Sequence, residues 1–440
     1  MRKLEDYLRR DAVLYSGKVA VTCGNQNCTY GQLMERVELR ASQLLARGIP
    51  VKGKPLLFRA SQSIDFFVEY FAIHWVDAVA VPVEKDLPDE LMEGLQRELA
   101  QCELPQGVAD VLFTTGTTGK SKGVMISHDT ILADAENLIE AQGYHHDLTF
   151  IINGPLNHIG SLSKVYPVIM QGASLHILEG MKDLNAFFQA MAQAQGPVAT
   201  FLVPASIRML LAFAKERWAE LADKVDFVET GAAPIALPDM QQLCQVLPHS
   251  RLFNTYASTE TGIIATHDFN HDGCVAGCLG RPMCHSSLEI DGEGRIMCSG
   301  RTLMVGYLGD LMLTLSVLQG GKLLTSDLGY LDDKGRLHLT GRIGDVINVG
   351  GYKVIPTEVE DVALSIPGVR DCVCIAAQHR VLGTVLKLLV VLYEGYEWNK
   401  RLLAKQLSEK LEAYKVPMLY EQVDAIKRTF NHKIDRKVYL

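Results

Sequence analysis

The sequence predicts an α/β protein: a large α/β N-terminal domain of several subdomains, then a small mobile α+β C-terminal domain. Three observations carry this. Strand and helix patterns alternate from Leu56 to Val83, the signature of an α/β sheet. Three later segments, Val198–Pro204, Val225–Pro234 and Leu252–Gly262, each run an apolar strand into a polar turn. After Cys298 the segments shorten and glycine turns become frequent.

The elements follow in order. Leu33, Val37, Leu44 and Leu45 recur at helical spacing over residues 29–47, with Thr29 as cap and Gly48 as stop. Leu56–Arg59 reads as a strand, the segment with Phe66, Phe67, Tyr70 and Phe71 as a helix, and Ala78–Val83 as a parallel partner strand. Val111-Leu112-Phe113 is a short buried strand. The three strand-to-turn segments belong to an open sheet, whose ligands collect beyond the strands' carboxyl ends, bringing those turns and the Thr114–Gly123 stretch to one crevice. The Asp332-Asp333-Lys334-Gly335 turn closes a hairpin. A smaller unit then has strands near Val346–Val349, Val369–Ala377 and Leu386–Tyr393, and helices near Thr357–Ser365 and Trp398–Tyr414. The boundary falls at Gly341–Asp345, dividing the chain into 1–341 and 342–440.

Composition narrows the function. The 440 residues suffice for two or three folding units. With 43 Lys+Arg against 51 Asp+Glu the formal charge is −8, which argues against binding nucleic acid by bulk charge. No apolar run approaches a membrane span, and the charged MRKLEDYLRRD start is unlike a signal peptide. The reading is a cytoplasmic chain without stable membrane insertion, its ten cysteines reduced. His267, His271, Cys274, Cys278, Cys284 and His285 are zinc-ligand types, but they lack a Cys-x2-Cys pair. Cys372 and Cys374 alternate along an apolar run as buried strand residues do.

The chemistry centres on VADVLFTTGTTGKSKGVMISH, residues 108–128. A strand runs into Thr114, Thr115, Gly116, Thr117, Thr118 and Gly119, with Lys120 and Lys122 close behind. Hydroxyls and backbone N–H groups can wrap a phosphate chain, glycines permit close approach, and lysines balance its charge. A P-loop needs four residues between its first Gly and the Gly-Lys pair; here Thr117 and Thr118 alone stand between.

The stretch instead resembles the phosphate loop of the acyl-adenylate-forming superfamily, which includes acyl- and aryl-CoA ligases, with Ser121 in place of a proline. Further family motifs lie beyond it. Tyr256-Ala257-Ser258-Thr259-Glu260-Thr261 resembles the second core motif: Tyr256 for adenine, Thr259 for the phosphates, Glu260 for magnesium, with Ala257 replacing glycine. Gly231-Ala232-Ala233-Pro234 resembles the adenine-facing turn. Asp327 matches the ribose-binding carboxylate, with Ser326 replacing glycine, and Arg342 the arginine near ribose and phosphate. Asp345 matches the hinge. Lys427–Lys437 resembles the C-terminal lysine loop, with Lys433 catalytic, Lys427 replacing proline and His432 replacing glycine.

The resemblance implies ATP, Mg2+ and a carboxylic acid as reactants. Pro155–Gly160 resembles the acyl-pocket segment of the CoA ligases: His158 is in place and Asn157 replaces an aromatic. No Asp lies between Asn153 and Lys164 to hold an ammonium, so the acid is not an amino acid. Gly350 and Gly351 resemble the thiol-tunnel loop that passes a pantetheine arm. Coenzyme A is favoured as acceptor over a carrier-protein phosphopantetheine; a homodimer is compatible. A non-catalytic nucleotide- or acyl-binding relative is the reading of another class.

Overall fold

The structure is a computed structural model that describes residues 2–46, 51–115, 121–428 and 434–439. Among these residues the backbone of the fold is a mixed sheet of fourteen strands. Its centre is parallel: Val198–Phe201, Val225–Thr230 and Arg251–Ser258 lie side by side, as the strand-to-turn pattern predicts. Helices pack against it, and cores containing Phe150, Phe227 and Trp218 fill the space beneath.

The large sheet is mixed, because Arg251–Ser258 turns back into the antiparallel Gly262–Asp268, and the expected parallel pairing of Pro55–Arg59 with Val79–Val83 is present. One expectation needs correction. The strand Val108–Thr115 belongs to a separate five-stranded sheet, with Pro55–Arg59, Val79–Val83, Ser121–Ser127 and Gly306–Tyr307. The segments expected to share one crevice therefore lie on two sheets, not along one edge. Continuous apolar runs fix burial but not which sheet a strand joins.

Locally the sequence signals perform as physics suggests. Thr29 caps the helix Tyr30–Leu45, its hydroxyl accepting from the Gln32 N–H while the Gln32 side chain reaches back. Leu33, Val37 and Leu44 are buried, but Leu45 is 60% exposed, because it falls off the apolar stripe. Gly48 lies outside the described residues. The short link after Val83 contains the helix Asp89–Ala100. Cys372 and Cys374 are buried in the strand Val369–His379.

The C-terminal part has its own core of Val354, Val359, Leu388 and Leu403 around a three-stranded sheet. Its last helix is Lys400–Ser408, shorter than the reading to Tyr414, which ends in a 3-10 turn at Ala413–Lys415. No helix among the described residues is long and apolar enough to cross a membrane.

Candidate active site

The strands flanking residues 116–120 pair in antiparallel register, Thr114 opposite Lys122 and Thr115 opposite Ser121. Gly116, Thr117, Thr118 and Gly119 lie outside the described residues, as does the side chain of Thr115. Lys122 sits on the returning strand, beside the short strand Gly306–Tyr307, where Tyr307 pairs with Val124. The Lys122 ammonium lies 5.3 Å from the centre of the Tyr307 ring, a cation–π distance. The same tyrosine donates its hydroxyl to Glu260 Oε1 at 3.1 Å. Glu260 belongs to the other sheet, at the turn between Arg251–Ser258 and Gly262–Asp268. One aromatic ring thus joins the phosphate-loop lysine to the metal-binding candidate. Burial and the neighbouring Glu260 push the Tyr307 phenol up from its ordinary range, so it stays a donor.

The turn that carries Thr259 and Glu260 is self-braced. Ser258 and Thr261 exchange bonds, Ser258 N–H donating to Thr261 Oγ1 at 2.9 Å and Thr261 N–H to Ser258 Oγ at 3.0 Å. This fixes the Glu260 backbone before any ligand arrives. Among the described residues only Tyr307 bonds the Glu260 carboxylate, and a hard oxygen donor of this kind suits magnesium.

A second group gathers the residues expected at the nucleoside. Tyr256 is buried, and its hydroxyl donates to Asp327 Oδ2 at 2.8 Å. Arg342 Nε donates to Asp327 Oδ1 at 2.6 Å. Asp327 and Arg342 face each other across paired strands, Lys322–Leu331 and Leu337–Arg342. Burial and the nearby Asp327 charge raise the Tyr256 phenol well above its ordinary value. Gly231, Ala232 and Ala233 follow the strand Val225–Thr230. A Cβ at Gly231 would stand 2.9 Å from the Thr255 carbonyl, so glycine lets this turn close against the strand that carries Tyr256. Ala232 holds a left-handed φ of 66°, which costs an alanine energy and marks a conformation fixed by its surroundings.

His158 precedes the helix Ile159–Gln171 as its N-cap residue, and Asn157 beside it is buried. Six residues on, Lys164 donates to Glu229 Oε1 at 2.8 Å, both side chains 1% exposed. This buried pair was not anticipated. A charged residue within an apolar helix, matched by one within an apolar strand, is the signal that finds it, since buried charges require partners.

Asp345 ends a 3-10 turn directly after Arg342 and lies 3.4 Å from Arg436 Nε. Arg436 also donates to both oxygens of the buried Glu360, at 2.9 and 2.8 Å. Gly350 and Gly351 form the exposed tip between Ile347–Val349 and Tyr352–Val354, with φ of 56° and 92°. Lys433 lies outside the described residues, between Arg428, which bonds Asp371 at 2.7 Å, and Ile434. The cysteine–histidine cluster is dispersed into ordinary partners. His267 bonds the Gly273 carbonyl, His271 bonds Asp268, and His285 lies 2.6 Å from Glu136.

Lys122 meets Glu260 across the Tyr307 ring, and Tyr256, Asp327 and Arg342 form one bonded group, the arrangement expected of a nucleotide-binding enzyme of the adenylate-forming class. The AMP-binding enzyme family matches residues 8–103 and 94–308, and the AMP-binding enzyme C-terminal domain matches 358–433. The chain belongs to this family. An indoleacetate–CoA ligase of Aromatoleum aromaticum is 25% identical, covering 98% of this chain and 96% of its own. ATP-bound MatB of Rhodopseudomonas palustris has a similar fold, with a TM-score of 0.87, 21% identity and coverage of 100% and 98%. So does O-succinylbenzoate coenzyme A synthetase of Bacillus subtilis with ATP and magnesium, with a TM-score of 0.83, 23% identity and coverage of 98% of both chains.

Proposed function

We propose that this chain is an AMP-forming acid–thiol ligase that makes acyl-coenzyme A. A substrate carboxylate oxygen attacks the α-phosphorus of ATP, the bond to pyrophosphate breaks, and an acyl-adenylate forms. The thiol of coenzyme A then attacks the acyl carbon and AMP leaves. The observation that carries this is the meeting of Lys122 and Glu260, from two different sheets, across the Tyr307 ring.

Each residue has a defined task. Thr114, Thr115, Gly116, Thr117, Thr118, Gly119 and Lys122 hold the phosphates, with Thr259 beside them. Glu260, oriented by Tyr307, holds magnesium; when bound it screens the charge on the pyrophosphate leaving group. Asp327 accepts from the ribose hydroxyls, while Tyr256 and Arg342 hold its carboxylate in place. Tyr256, Gly231, Ala232 and Ala233 shape the adenine side, and His158 stands at the acyl end. Lys433 opposes negative charge at the reacting centre.

The small domain, residues 342–440, turns about Asp345 between the two steps. In the second step Gly350 and Gly351 face the thiol. The substrate is a small carboxylic acid that is not an amino acid, and coenzyme A is the acceptor in preference to a carrier protein. The indoleacetate and O-succinylbenzoate named for two relatives recommend aryl acids for the first assays.

The test is acid-dependent release of AMP and pyrophosphate across aryl and alkyl acids, with and without coenzyme A. Thioester formation with coenzyme A supports the reading. ATP binding with no turnover of any acid contradicts it and makes the chain a non-catalytic binding protein.

A further inference from the structure

We propose that Glu5, His74 and His128 form a binding site for one transition-metal cation of the zinc class. Such an ion would staple the N-terminal helix to the strand pair that carries Lys122. The three residues come from separate elements: Glu5 from Leu4–Leu14, His74 from Ile64–Trp75, and His128 from the start of His128–Gln142. All three are buried, with 4%, 1% and 4% exposure. Each offers a ligand atom within 4.8 Å of the other two. A tetrahedral zinc ion with bonds of about 2.1 Å holds its ligand atoms about 3.4 Å apart, so side-chain rotations close the set. Two imidazoles and one carboxylate are a zinc donor set, with a fourth position for water.

The surroundings of His74 match those of a metal-bound histidine. One ring nitrogen, Nδ1, lies 2.9 Å from Glu5 Oε1; the other, Nε2, lies 2.8 Å from Asp110 Oδ1. Asp110 is itself held by the Tyr70 hydroxyl at 2.9 Å and the Tyr166 hydroxyl at 3.5 Å. A carboxylate behind a histidine fixes its tautomer and raises its basicity toward a cation.

Two atoms of the cluster are unsatisfied. Glu5 Oε2 and His128 Nδ1 are buried and have no hydrogen-bond partner among the described residues. The two N–H groups of a protonated His74 serve Glu5 Oε1 and Asp110 Oδ1, leaving Glu5 Oε2 and His128 Nδ1 desolvated without compensation. A cation in place of the Nδ1 proton gives Glu5 and both rings a common partner. The His74 and His128 rings are 5.1 Å apart in an edge-on arrangement.

The site lies at the root of the phosphate-loop strands. His128 directly follows Ser121–Ser127, and Asp110 sits within Val108–Thr115. It is separate from Glu260 and the magnesium used in adenylation, so the two metals are distinguishable by chelation and by variant.

The experiment is elemental analysis of the full-length chain, dialysed against EDTA and then exposed to zinc or to magnesium alone. The account expects about one zinc per chain, little magnesium at this site, and a rise in thermal midpoint with zinc. Glu5→Gln and His128→Gln should lose the bound zinc, while Glu260→Gln should keep it. Cobalt(II) should give the intense visible bands of a tetrahedral site in the unmodified chain, a readout that stands even if the two variants fail to fold. No retained zinc and no tetrahedral cobalt spectrum would overturn the proposal. Equal retention by wild type and both folded variants would overturn it as well.

Discussion

The Tyr256 hydroxyl donates to Asp327 Oδ2 at 2.8 Å, so the aromatic proposed for adenine and the carboxylate proposed for ribose are one unit. Arg342 engages the other oxygen at 2.6 Å. Tyr256→Phe should therefore disturb ribose recognition while leaving the ring in place. Hydrogen bonds to a charged group are worth about 1.5–3 kcal/mol. Asp327→Asn should raise the Kd for ATP by roughly 10- to 100-fold on that basis, and Tyr256→Phe by less. Titration calorimetry with ATP checks both. Unchanged affinity in Asp327→Asn would remove Asp327 from the nucleotide site.

How much of this was legible in the sequence differs by residue. Tyr256, Asp327 and Arg342 could each be named from a motif, but their joining could not: strand pairing sets Arg342 opposite Asp327, and the Tyr256 hydroxyl reaches the same carboxylate. Tyr307 was not, because Met304-Val305-Gly306-Tyr307 looks like any apolar run; its role arises from pairing with Ser121–Ser127, which periodicity does not reveal. The separation into two sheets was hidden for the same reason. The strands near Val369 and Leu386 were readable because their apolar runs are local, as is the Thr29 cap in the large domain.

The phosphate-loop lysine should act on rate. Lys122→Ala removes a cation from the charge that builds on the phosphates, a loss of about 10²–10³ in kcat. Tyr307→Phe keeps the ring over which Lys122 lies but releases Glu260 Oε1, so it should raise the magnesium requirement with a smaller loss of rate. Glu260→Gln should raise that requirement most. Magnesium titrations of pyrophosphate release order the three; superimposable curves for wild type and Glu260→Gln would exclude Glu260 as a ligand.

Asp134 supplies a pH prediction. It is fully buried and accepts from the Ile263 N–H at 2.8 Å. Burial pushes its carboxyl from 3.8 up to about 8. A carboxyl protonated more readily in the folded state favours folding at low pH. That contribution declines as pH rises from about 4 to about 8 and is flat above. Asp134→Asn keeps the acceptor and removes the titration. Its stability relative to wild type, measured by urea unfolding, should improve between pH 5 and pH 8. The same difference at both pH values would contradict this.

Arg436 should be a structural anchor. It satisfies Glu360, 5% exposed, and approaches Asp345. Arg436→Ala leaves a buried carboxylate without its cation, held by the Cys374 N–H at 2.7 Å, costing about 3 kcal/mol. Thermal and urea unfolding measure this, and a loss below about 1 kcal/mol would equate the pair with an exposed one.

The central claim is a two-step ligase in which Lys433 serves only the first step. The most direct measurement is acid-dependent exchange of labelled pyrophosphate into ATP without coenzyme A, in wild type and Lys433→Ala, beside thioester formation from synthetic acyl-adenylate. The account predicts exchange by wild type and its loss by several powers of ten in the variant, each worth about 1.4 kcal/mol of barrier, with thioester formation from the adenylate retained. Equal damage to both steps, or no acid that supports exchange although ATP binds, would contradict it.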